Sequence, residues 1–372
     1  MRSAAKQAEL NRRLIEAAWK NDRATAAKLI RAGAEVNAKD ETEQSAYLIA
    51  TSEGYLELLE LTLRAGADVR SLDSYQGTGL IRAADRGHAD IVGRLLRTDI
   101  KVNHVNNLGW TALHEAILLG NGSQRYVDTV RLLIAGGADP QLRSQRDGVT
   151  PLNHAHRLGY DTIAATVQQA ISARPMANPD RQLLRAAANG DADQVALALR
   201  AAARLETRDG QDRTALLLAA SGNRLAVARL LVQLGADPDA LDGRHDTPWL
   251  VTGVTGSVPM VEILLPARPD LTIRNRFGGT SLIPASERGH VDYVRRVLQT
   301  DIDVNHVNDL GWTALLEAVI LGDGSKRYAE IVRLLLDAGA DASIPDSNGV
   351  TALAHARARN HADIAAILRR AR

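Results

Sequence analysis

Two short strings set an acid and a base in the same register. Glu115 is the fifth residue of TALHEA, which begins at Thr111, and His154 is the fifth residue of TPLNHA, which begins at Thr150. Glu317 in TALLEA and His355 in TALAHA repeat the arrangement further along the chain. A carboxyl and an imidazole flanking one small ligand have the chemistry of a general acid and a general base. Trp110 and Trp312 each stand just before the Thr that opens a Glu-bearing string. A rigid indole there either anchors a bound partner or packs on its neighbours. A metal centre needs three or four converging ligands, and these strings supply two, so no metal and no cofactor is expected. The chain has no cysteine, no G-x-S-x-G, no H-E-x-x-H and no phosphate-cradling glycine loop.

The elements that must position these residues show in the period of the strings. Related strings open at Ser45, Thr78, Thr214, Thr247 and Thr280, and two further segments, from Leu14 and Leu183, keep the rest of the pattern. Taking positions 12, 45, 78, 111, 150, 181, 214, 247, 280, 313 and 351 as equivalent, most gaps are 33 residues. Thr accepts a backbone N–H bond at a helix start, and an apolar stripe such as Leu216, Ala219 and Ala220 packs inward. A Gly or Asn then reverses the chain into a second helix, and an AGAD-like run carries it out to the next string.

This pattern closely resembles the ankyrin repeat, whose signature is T-P-L-H-x-A at a 33-residue period. The resemblance covers nearly the whole chain, which looks like a bacterial-type multi-repeat array. It implies an all-α solenoid of about eleven helix–turn–helix units with short β-hairpin fingers. It also implies that finger tips and first helices form a concave surface where partners bind. On that reading the candidate binding residues are Tyr75, Arg86, Asn107, Leu108, Trp110, Leu118 and Trp312, with Glu41, Thr42, Gln44, Ser52, Glu53, Ser74, Asp85 and Leu119 around them. Equivalent residues of stacked units lie roughly 10 Å apart, so Glu115 and His154, or Glu317 and His355, are expected to flank a pocket. His104 and His306 fall where such repeats bond finger to finger, and His88 and His290 where the turn is bridged.

A second period is longer. Between 98–126 and 300–328, 22 of 29 positions are identical at an offset of 202 residues, so the chain reads as a tandem copy of one module. The expected division is a first module of five repeats over 1–172, a Pro-containing connection over 173–180, and a second module of six repeats over 181–372. Both modules carry an insertion, NGSQRY (121–126) and DGSKRY (323–328), expected to lengthen the turn between two helices. Its repetition makes Tyr126 and Tyr328 candidates for a binding or packed loop. Pro259, Pro266 and Pro269 are expected to distort one second helix.

Composition narrows the function further. With 45 basic and 44 acidic side chains the formal charge is +1, which supplies no excess for neutralising phosphates, so no nucleic-acid partner is expected. No run approaches the ~20 apolar residues that span a bilayer, and the first residues lack a signal-like apolar core. The expected location is cytoplasmic, and a leader removed beforehand is compatible with the same sequence. The function expected is a non-enzymatic scaffold holding a protein partner. The alternative is a small-molecule binding or catalytic module with a Trp/Glu/His pocket in one or both halves.

Overall fold

A computed structural model describes residues 4–371. Among these the chain forms twenty-two α-helices in eleven successive pairs, and one 3-10 turn, Leu265–Ala267, with no strand. The first helix of most pairs starts where the sequence places its cap. Thr78, Thr111, Thr214, Thr313 and Thr351 each accept a bond from the backbone N–H three residues on. Each such cap stabilises its helix by about 1 kcal/mol, and Pro151 begins a helix where its missing N–H costs nothing.

The fingers between pairs are turns closed by single backbone bonds, such as Asp73 N–H to Gly77 O at 2.9 Å and Asn106 N–H to Trp110 O at 3.0 Å. Leu72 with Thr78 and Arg208 with Thr214 form isolated β-bridges. Asn or Asp opens most fingers because its side chain bonds the finger's own amides, and Ser144 takes the place in one. Asn106 Oδ1 accepts from Leu108 N and Trp110 N, each at 3.0 Å.

The chain forms two compact bodies. The first comprises residues up to Leu183 with Ala192–Arg204 and Gln233–Gly235; the second comprises Leu184–Asp191, Leu205–Val232 and the chain from Ala236 on. Residues 173–178 carry no helix. In the first body the core is made of thin layers, with Leu80, Ile91, Leu95, Leu113, Leu132 and Leu133 fully buried. Burying one such side chain stabilises by about 2 kcal/mol. The helix Ala192–Arg200 packs on Gln124–Ala135, where Arg131 Nε donates to Asp193 Oδ1 at 2.7 Å. Nearby, a Cβ on Gly93 would collide with the backbone of Gln233, so this close approach requires glycine. Its counterpart in the second body is Arg295, 46% exposed and paired with Asp292.

The second body repeats the layers with one distortion. Its helix Val258–Leu264 runs into the 3-10 turn Leu265–Ala267, and Arg268 leaves it at φ 56. Pro259 sits in the first helical turn, while Pro266 stops the α-helix, as the prolines imply.

The insertions are shared between turn and helix. Residues 121–123 and 323–325 lengthen the turn, while 124–126 and 326–328 begin second helices of 12 residues, against 7 in Ala89–Leu95 and Val291–Val297 of the preceding pairs.

Candidate functional site

Most of the side chains singled out in the sequence lie on two adjoining pairs in each body. In the first body these are Gly79–Asp85 and Ala112–Leu118 with their fingers; in the second, Leu282–Glu287 and Ala314–Ile320. His154 and His355 lie on the next first helices, Pro151–Arg157 and Ala352–Ala358, and Ser52 and Glu53 on the earlier helix Ala46–Glu53. The tips present apolar surface to solvent. Tyr75 is 53% exposed, and its carbonyl accepts from Asn107 N at 2.9 Å. Phe277 holds the same place in the second body at 56%, with its carbonyl bonded by Asp309 N at 3.0 Å. Leu310 is 55% exposed, while its counterpart Leu108 is half-buried. Trp110 and Trp312 lie half-buried at the finger bases, and the Trp110 indole N–H is buried without a partner.

Behind the tips sit buried carboxyls. Asn106 Nδ2 donates to Glu115 Oε1 at 2.8 Å, and Asn308 Nδ2 to Glu317 Oε1 at 2.8 Å. Burial pushes both carboxyls up to about 7, against the pull of the asparagine bond. The charge of Asp85 pushes Glu115 further up, and that of Glu287 does the same to Glu317. In the first body Arg82 opposes this; it pairs with Asp73, Nε to Oδ2 at 3.3 Å. In the second body Asn275 and Pro284 replace that ion pair.

The expected couple of Glu115 with His154 is not assembled. His154 is buried against the His114 ring, with centroids 6.1 Å apart and edge to face, and its Nε2 lies 3.7 Å from Asp147 Oδ2. Burial lowers its pKa. Glu317 and His355 are likewise separately engaged, because His355 Nε2 meets Asp346 Oδ2 at 2.7 Å. Both anchors, Asn308 and Asp346, stand nine residues before the side chain they hold. Glu115, Glu317 and His355 therefore clamp their own finger to their own helix.

Tyr126 and Tyr328 take the packed one of the two expected roles. Both are buried, and their hydroxyls donate to Asp85 O at 3.0 Å and Glu287 O at 2.7 Å. They lock one pair to the next and present no face to a partner. Arg86 pairs with Glu53 at 2.7 Å, Leu118 is half-buried, and the neighbouring Leu119 is 49% exposed. His104 and His306 bond the preceding finger at Gln76 O (2.8 Å) and Gly278 O (2.6 Å). His88 and His290 bond Ser52 O and Val254 O.

Two residues were passed over in the sequence. Phe277 is reached by carrying Tyr75 forward 202 positions. His114 closes a capping box with Thr111, its Nδ1 accepting from Thr111 N at 3.2 Å, and burial, then His154, push its pKa down to about 4. It stands at the fourth position of the same string as Glu115. Among the described residues no group of three His, Asp or Glu could hold a metal ion, and no helix is long and apolar enough to cross a membrane.

Comparison with known proteins matches the same layers. A family model described as ankyrin repeats in three copies matches residues 14–106, 47–144, 80–178, 183–275 and 249–346. A putative ankyrin repeat protein of Escherichia coli K12, YahD, is 40% identical over 186 residues, covering 50% of this chain and 92% of that protein. The crystal structure of an ankyrin repeat domain from Acinetobacter baumannii is 44% identical and superposes with a TM-score of 0.50, over 51% of this chain and 96% of that one. A second solved ankyrin repeat protein, 36% identical, covers 51% of this chain and 97% of its own length, also at a TM-score of 0.50. Each of these relatives is matched almost entire by half of this chain.

Proposed function

The chain belongs to the ankyrin-repeat family, and from that premise we propose that it is a scaffold holding a protein partner against its finger tips and first helices. The family's fold typically mediates protein–protein interaction, and repeat stacking supports such broad surfaces. The observation that carries the reading is the exposure of Tyr75, Phe277 and Leu310 at finger tips. Large side chains held out on short, hydrogen-bonded turns lose little entropy when a partner covers them, which is what an anchor requires.

The buried acids support the same reading. Glu115, Glu317 and His355 each bond the finger before their own helix, and His114 closes a helix cap, so these tips are held in place before a partner arrives. The test is capture on immobilised chain, with a Tyr75→Ala/Phe277→Ala/Leu310→Ala variant as the control bait. A stoichiometric protein retained by the native chain and lost on the variant, with helical content unchanged by circular dichroism, supports the proposal. Equal retention by both baits contradicts it.

A further inference from the structure

We infer that the finger tips of the second body hold an extended, acidic segment of the partner. Its acid lies at Arg244 and Arg276, and two apolar residues beyond the acid lie on Phe277 and Leu310. The inference rests on the scaffold reading and adds the chemistry of the occupant.

Arg244, Phe277 and Leu310 hold one position of three successive fingers. Each stands two residues after the side chain that bonds its finger's amides, Asp242, Asn275 or Asn308. All three are exposed. Asp309 N–H donates to Phe277 O at 3.0 Å and ties the last two fingers tip to tip. Asp270 N–H donates to Asp239 Oδ1 at 2.9 Å and ties together the chain leading into the first two. Successive layers lie roughly 10 Å apart. A polyproline II segment, rising about 3.1 Å per residue with three residues per turn, sets i, i+3 and i+6 on one face at nearly that interval. One such segment therefore reaches all three tips.

The charge of the occupant follows from what stands beside this row. The Arg276 guanidinium lies 4.6 Å from the Phe277 ring centroid, so a cation is held over the aromatic face. Arg244 and Arg276 are exposed, and neither makes an ion pair among the described residues. The half-buried Asp246 bears on both and pairs with neither. Guanidiniums of this kind beside an apolar surface suit a carboxylate next to an apolar side chain. At the leucine end the exposed Asp309 lies against Gly278, where it repels a second acid and sets the polarity of the segment. Asp242, Asp246 and Asp309, spaced among the arginines, oppose a polyphosphate and favour a peptide over a nucleic acid.

Comparison of the two copies separates what the row keeps from what it changes. In the first body it reads Thr42, Tyr75 and Leu108, with Ser74 in the place of Arg276. The aromatic and the leucine recur, while both arginines are absent and Glu41 and Glu43 flank Thr42. The first body is thus not expected to hold an acidic segment.

The experiment is selection of phage-displayed random dodecapeptides on the immobilised full chain, followed by titration of the selected sequences as synthetic peptides. Enrichment of Asp or Glu three residues from a Leu, Ile or Phe is expected, with a second apolar residue three further on. Arg244→Ala/Arg276→Ala and Phe277→Ala/Leu310→Ala should each raise Kd about tenfold. Thr42→Arg/Ser74→Arg should raise the peptides bound per chain from one towards two. Peptides without acidic residues, or affinities indifferent to the arginine substitutions, overturn the inference while leaving the scaffold reading intact. Affinities that also ignore Phe277→Ala/Leu310→Ala overturn both. A single-stranded oligonucleotide that displaces the peptides at equal concentration assigns the arginines to nucleic acid and overturns the inference, and failure to select any peptide counts against it. Circular dichroism of each variant separates loss of binding from loss of fold.

Discussion

The side-chain amide of Asn106 donates to Glu115 at 2.8 Å across the base of a finger, and both groups are buried. The same asparagine accepts the amides of Leu108 and Trp110, so one side chain ties the finger to itself and to the helix behind it. Asn308 does the same for Glu317, Leu310 and Trp312.

Asn106→Ala is therefore expected to cost about 2–3 kcal/mol, since it leaves a buried carboxyl and two amides without a partner. Asn106→Asp keeps the acceptor for the amides but sets a carboxylate against Glu115, so it should destabilise more at pH 8 than at pH 5. Urea unfolding at the two pH values measures both effects.

The pH dependence of stability has two opposed arms. Glu115 and Glu317 have their folded pKa raised to about 7. Their contribution is present in full below about 4.5 and is lost as pH rises through 7. The charges facing Glu115 are Asp85, Asp73 and Arg82; Glu287 faces Glu317. His114 is the reverse case, with its folded pKa lowered to about 4. Its contribution is present above 6.5 and is lost as pH falls through 4. Glu317→Gln should thus stabilise at pH 8 by about 1–3 kcal/mol and leave pH 4.5 unchanged. His114→Leu, which copies Leu316 of the second body, should flatten the acid arm.

Tyr126→Phe and Tyr328→Phe test whether these rings serve the fold. Each removes one hydroxyl bond to a neighbouring carbonyl and should cost about 1 kcal/mol in a thermal melt. Neither should change the affinity for a captured partner.

Gly93→Ala is expected to destabilise the first body by about 1–3 kcal/mol, because a methyl group there meets the backbone of Gln233 and one of them must shift. Arg295→Ala, at the matching position of the second body, should be close to neutral, since its ion pair is solvent-exposed. Parallel chemical denaturation of the two variants makes the comparison.

The repeat itself was legible because each layer needs the same cap, the same apolar stripe and the same turn, and those recur as letters. Exposure at the tips was partly legible: Tyr75 was found from its place in the finger, and Phe277 follows from the 202-residue offset. The pairing of the acids was not. Register alone sets Glu115 level with His154 one layer away, but a buried carboxyl takes the nearest donor, which is Asn106 nine residues back. For the tyrosines the sequence left two roles open, binding or packing. Half of each insertion is helix, and a ring at a helix start beside a turn glycine falls inward.

Oxidative footprinting of the chain alone and in complex with its captured partner tests the central claim most directly. The account predicts protection of Tyr75, Phe277, Leu310 and the edges of Trp110 and Trp312, with Trp19 and Leu158 reacting as before. Unchanged reactivity at the finger tips, with protection confined to the second helices, would contradict it.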